Sequence, residues 1–195
     1  VNFLSGGFNS SYGDRLSSIM ELKYREGNRT TTDVQLDMSF QGFGGVIEGP
    51  LAGGKGSYVI SARRSYLDLI IELMNEKVGM PLYSDVQGKL VYDLSDKHQI
   101  SIIDVFSHDN QLMNQADAIE NKNYVYTDYS YSTNTVGINW QYLWGTSGYS
   151  NTSLSHTFRK TDGRFYQTRD AKLLVNNKSL EQELNFRSIN HWIAG

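Results

Sequence analysis

From Thr32 to the end of the chain, apolar and polar residues trade places at every second position, the pattern of extended strands with one greasy and one wet face. Val34, Leu36, Met38 and Phe40 interleave with Gln35, Asp37, Ser39 and Gln41, and Val86, Leu90, Tyr92 and Leu94 interleave with Asp85, Gln87, Lys89 and Asp93. Val136, Ile138, Trp140, Tyr142 and Trp144 do the same against Asn139 and Gln141, with weaker versions at Leu154 and Phe158 and at Leu184 and Phe186. Helices repeat with a period near 3.6, so this pattern points to an all-β chain. No stretch approaches the ~18 consecutive apolar residues of a membrane-crossing helix, because Asp, Glu, Ser or Gly interrupts each run. A membrane protein that crosses with strands remains open.

Spacing sharpens the choice. The alternation predicts strands at about 32–41, 45–51, 56–65, 83–94, 99–110, 132–144, 150–160 and 180–190. Turns rich in Gly, Ser, Asp or Lys fall at 51–56, 95–98 and 145–149, while long connections fall at 65–82, 111–131 and 161–178. A soluble sandwich has no reason to alternate short and long connections, whereas a bacterial outer-membrane barrel does, with short periplasmic turns and long outer loops. Within the first long connection, Leu67, Ile70, Ile71 and Met74 have the spacing of a short one-striped helix. Ile100, Ile102, Ile103 and Val105 break clean alternation and predict a bulge or a contact on the second face. The chain has no cysteine, which excludes a disulfide framework, a Cys-ligated zinc site and a thiol nucleophile, and its formal charge of −3 gives no pull toward nucleic acid.

Residues 1 to 28 read Ser5-Gly6-Gly7-Phe8, then Tyr12-Gly13-Asp14-Arg15-Leu16-Ser17-Ser18-Ile19, then Glu21-Leu22-Lys23-Tyr24-Arg25-Glu26-Gly27-Asn28. This resembles the end of the plug in TonB-dependent outer-membrane receptors, where a Tyr-Gly turn precedes the last plug strand and the linker into the barrel. Glu48-Gly49-Pro50-Leu51, the following glycine turn, and Ser57-Tyr58-Val59-Ile60-Ser61-Ala62-Arg63-Arg64-Ser65-Tyr66-Leu67-Asp68 resemble the first periplasmic turn and third strand of such barrels, especially those of Bacteroidetes-like bacteria. The likeness is specific over about the first 70 residues; beyond them only the pattern agrees. It implies residues 1–30 as the end of a plug domain and 31–195 as the first part of a transmembrane antiparallel β-barrel, roughly eight strands of a larger one of about 22. The implied activity is active import of a scarce nutrient, such as a siderophore, vitamin, glycan or peptide, across the outer membrane of a Gram-negative bacterium. The implied partners are outer-membrane lipid, a TonB-type energy-coupling protein that grips a segment upstream of this chain, and a surface lipoprotein.

A plug that must move is held to its wall by polar contacts, and Arg15, Glu48, Arg63 and Arg64 are the charges suited to such a lock. The bland alternative is that they are solvated charges of a polar interior. Tyr124, Tyr126, Asp128 and Tyr129, with Asn123 and Tyr131, suit substrate capture by stacking and hydrogen bonding, or else form plain strand extensions. Trp140, Tyr142 and Trp144 fit a lipid-facing aromatic girdle. Residues 49–56 mimic a phosphate loop, but Gly56 stands where Ser or Thr belongs and a strand follows. His98, His108, His156 and His191 are scattered without metal or catalytic spacing, so neither an enzyme nor a cofactor is expected. Two other classes share some of these features: a passive porin-like barrel and a soluble carbohydrate-binding β-sandwich. Eight strands closing on themselves would leave no room for a plug, so the sheet is expected to stay open within this chain.

Overall fold

The computed structural model describes residues 1–7, 17–39, 42–66 and 81–193. Two short strands, β1 (Asn2–Leu4) and β2 (Ile19–Glu21), form a small antiparallel pair. The rest is one antiparallel sheet of eight strands in sequence order: β3 (Asp33–Ser39), β4 (Gly42–Leu51), β5 (Gly56–Ser65), β6 (Pro81–Ser95), β7 (His98–Leu112), β8 (Val125–Leu143), β9 (Gly148–Gln167) and β10 (Leu173–Trp192). The sheet is open: β3 and β10 each pair on one side only, and not with each other.

The register carries the alternation read from the sequence across the whole sheet. Cα partners share a face, and one row of partners runs Leu90, Ile102, Ile138, Leu154, Phe186. Val34, Ile47 and Ile60 form another row on that face, and Tyr92, Ile100 and Trp140 a third. The residues expected on the apolar side share it, except that Leu94 falls within a register shift, Trp144 follows the end of β8 and Phe40 lies outside the described residues. Nothing among the described residues covers this face: Leu36 is 83% exposed, Met38 85% and Phe186 71%. Among the described residues the buried apolar side chains are Val91, which lies on the opposite face, and Ala118. An aliphatic side chain left in water forgoes roughly 1.5–3 kcal/mol relative to burial, so a face built this way requires an apolar environment.

Four local expectations need correction. The long connections expected at 111–131 and 161–178 are shorter than read: β7 runs to Leu112 and β8 starts at Val125, while β9 continues to Gln167 and β10 starts at Leu173. Thr127, Asp128, Tyr129, Ser130 and Tyr131 are polar or amphipathic on both faces, so there was no apolar alternation to read, yet Thr and Tyr pack well on a pleat and each residue has a partner on β9. The second connection also holds an unexpected one-and-a-half-turn helix, α1 (Gln115–Glu120), started by Asn114, whose side chain accepts from the Asp117 amide. No bulge interrupts Ile100–Val105, which pairs residue by residue with β8; Ile103 simply faces the polar side, where its Cγ2 fills the space above Gly137. The irregularity is instead at Asp93 to Ser95. The helix expected over Leu67 to Met74 lies outside the described residues.

The turn between β4 and β5 winds through Ala52, Gly53 and Gly54 with φ of 46°, 69° and 91°. Gly54→Val is expected to cost roughly 1–3 kcal/mol, because a branched side chain rarely adopts a positive φ. Gly88→Ala, whose added Cβ would meet only Ile60 Cγ1 at 3.9 Å, should change stability by less than about 0.5 kcal/mol. Denaturant midpoints of the two variants give the comparison.

Candidate functional site

The polar face of β4 to β6 carries a strap. Residues 24–32 run without regular structure from the β1–β2 piece into β3, and they lie flat on this face at the end of the sheet where the short turns are. Gly27 makes the close approach possible: a Cβ there would stand 1.9 Å from the Tyr58 carbonyl oxygen on β5. Gly49, on the opposite face of β4, lies under Thr32, whose Oγ1 would be 2.8 Å from an added Cβ.

Polar contacts hold the strap along its length. Arg25 grips Glu48 on β4 with both guanidinium nitrogens, Nη2 donating to Oε1 at 2.7 Å and Nη1 to Oε2. Glu48 Oε2 also accepts from the Asn28 backbone amide at 2.9 Å. Lys89 Nζ on β6 donates to the Tyr24 carbonyl at 2.8 Å. Arg29 donates to Asp93 at the end of β6 and to Glu26 at 3.0 Å, and Asp93 Oδ1 takes a further hydrogen bond from Gln99 at 2.7 Å. Asn28 Oδ1 accepts from the amides of Thr30 and Thr31, closing a side-chain turn that aims the chain into β3. The carboxylates raise both arginines above their usual value: Glu48 does so for Arg25, and Asp93 then Glu26 for Arg29. Both cations therefore stay charged through the whole physiological range.

The residues singled out from the sequence do not form one cluster. Glu48 and Arg63 share the polar face, but Arg63 turns to Asp85 on β6, with Nε at 3.1 Å from Oδ2. Arg64 lies on the apolar face, opposite Phe43 and Ser84, because neighbours on a strand point opposite ways. Arg15 lies outside the described residues. The tyrosine group is likewise divided. Tyr126 stacks on Tyr166 at 5.0 Å on the apolar side, and Asp128 approaches Arg164 at 3.7 Å on the same side. Tyr129 lies on the other face over Gly163, while Tyr124 precedes the strand and is 91% exposed. His98 stacks between Trp140 and Tyr142 at 5.7 and 4.5 Å, at the short-turn end of the apolar face, and Trp144 meets Trp192 edge-on beyond the end of β8. Among the described residues no group of three or more His, Cys, Asp or Glu is placed to hold a metal.

Sequence reasoning missed Arg25, Arg29, Lys89 and Asp93. A signal existed in the charge-dense run Lys23-Tyr24-Arg25-Glu26-Gly27-Asn28-Arg29, a poor strand or helix former that needs partners, and in Lys89 and Asp93 on the polar positions of β6. What the sequence lacked was the register that brings them together. The chain matches no protein-family model, no curated protein and no solved structure.

If the strap is held by this close fit, Gly27→Val should lift it from β5 and speed tryptic cleavage after Arg25 and Arg29 by about tenfold or more, since proteolysis follows the open population. Gly6→Val, with nothing within 4 Å of an added Cβ, should leave the digestion pattern as it is.

Proposed function

We propose that this chain is part of a TonB-dependent active importer in the outer membrane of a Gram-negative bacterium, with residues 31–195 contributing a run of barrel wall and residues 1–30 the end of the plug. The observation that carries the reading is the division of labour between the two faces. One face presents an uncovered apolar belt with aromatics at its short-turn end, as lipid contact requires. The other holds an N-terminal strap by charged groups, as a wall with an occupied interior requires. An open eight-stranded sheet would expose unpaired backbone groups at both edges to hydrocarbon, so in this reading further strands complete the barrel.

Strand length fits as well. Crossing a bilayer takes about 9–11 tilted residues. β6 and β7 have 15 residues and β9 and β10 have 20, so their surplus rises beyond the membrane on the side of the long connections. In this reading that side is outside the cell and the short turns are periplasmic. The importer takes a scarce nutrient, draws its energy through a TonB-type protein acting upstream of the strap, and performs no chemistry on its cargo.

The test is uptake by cells carrying the intact gene against its deletion strain, screened over siderophores, vitamins, glycans and peptides. Uptake that stops when the inner-membrane proton gradient is collapsed supports the importer. Uptake that continues without energy favours a passive porin-like barrel, and a protein extracted without detergent favours a soluble carbohydrate-binding sandwich. A second expectation concerns single residues: Ile138→Lys, on the apolar face, should cost roughly 2–4 kcal/mol in a lipid bilayer, while Asn139→Lys, next to it but facing the other way, should be tolerated. Equal effects in a refolding titration into vesicles would overturn the assignment of lipid to the apolar face.

A further inference from the structure

The strap and the β1–β2 piece are held by different partners among the described residues. Among the described residues, β1 and β2 pair only with each other. Among the described residues, the side-chain contacts found for this piece stay within it, Asn2 Nδ2 donating to Glu21 at 3.0 Å and Lys23 Nζ lying 3.9 Å from the same carboxylate. From Tyr24 onward the side-chain partners found outside the strap belong to the sheet: Asp33 on β3, Glu48 on β4, and Lys89 and Asp93 on β6, with Gly27 flush on β5. The joint between these two regimes is Leu22 and Lys23, both exposed.

We infer that residues 24–32 are a fixed strap that moves with the sheet, and that any displacement of the upstream plug segment is taken up at Leu22 and Lys23 rather than by release of Arg25 from Glu48. This rests on the importer reading and adds the location of its hinge. The physical reason is cooperativity. Exposed ion pairs are individually weak, but here Glu48 serves Arg25 and the Asn28 amide together, and Asp93 serves Arg29 and Gln99. Losing any one contact leaves the strap docked by the others, so its release requires all of them to open together. Rotation about Leu22 and Lys23 costs none of these contacts.

Hydrogen–deuterium exchange on the intact protein in outer-membrane vesicles tests the division directly. The amides of Asn28, Thr30 and Thr31 are expected to exchange roughly tenfold or more slowly than those of Leu22 and Lys23, because local opening free energy sets the rate. Equal rates across 20–32 would overturn the inference. A second arm uses function. The chain has no cysteine of its own, so Arg25→Cys with Glu48→Cys can be joined by a reducible bifunctional thiol reagent that spans the replaced side chains. Import by the joined protein at the rate of the reduced form supports a fixed strap. Import lost on joining and restored by reductant shows that the strap must open and overturns it. If the wild type itself imports nothing, the importer reading fails, and the exchange pattern alone decides whether the strap is fixed.

Discussion

A pleat in which each strand hydrogen-bonds only to the next fixes where every side chain points, and the rest of this structure depends on that. Between β7 and β8 and between β8 and β9 the register runs unbroken from end to end. A slip of one residue in β6 would turn Asp85, Gln87 and Lys89 onto the apolar face and bring Val86 and Leu90 to the polar one. The same slip would carry Lys89 and Asp93 away from Tyr24 and Arg29. The apolar belt and the docked strap are therefore not independent features. Both follow from one hydrogen-bond ladder, and a change that disturbs the ladder disturbs both.

The strap shows how a segment without secondary structure of its own can be held in place. It has no apolar side chain to bury, and its ion pairs are partly open to water, with the Arg25 side chain 60% exposed. Its order comes from three modest effects acting on nine residues: a bidentate arginine pair, backbone groups satisfied by Glu48 and Lys89, and a glycine, Gly27, that lets the strap's backbone approach that of β5. In the proposed importer such holding is useful because it is polar, so it survives in a water-filled interior where a greasy contact would have to be built from residues that face the wrong way.

The strands were legible because the apolar belt imposes period two, and the stretch from Gly56 to Ser65 falls where the alternation and the flanking turns predict it. Legibility failed where both faces are polar. Tyr129, Ser130 and Tyr131 carry β propensity but no contrast between faces, so their stretch read as loop. It failed again at Arg63 and Arg64, which as a pair look like one charge cluster and are in fact separated by the thickness of the sheet. The strap was the least visible part. Its contacts to β4, β5 and β6 join residues 20 to 65 positions apart, such as Asn28 with Glu48 and Lys89 with Tyr24, and no local pattern encodes a distance of that kind. Only Glu48 could be singled out in advance, from its place in a strand bordering the plug-like segment.

Sheet order identical to sequence order has a further consequence, which concerns how such a wall changes over time. Every strand from β3 to β10 has as neighbours only the strands directly before and after it in the chain. Adding or removing one up-and-down pair would leave all other pairings, faces and registers as they were, and would alter only the width of the wall. A Greek-key sandwich has no such freedom, because its crossed connections tie distant strands together. Duplication of a hairpin is thus a small step for this architecture, and the width of the sheet is a quantity that can grow by two strands at a time without a new fold having to be found.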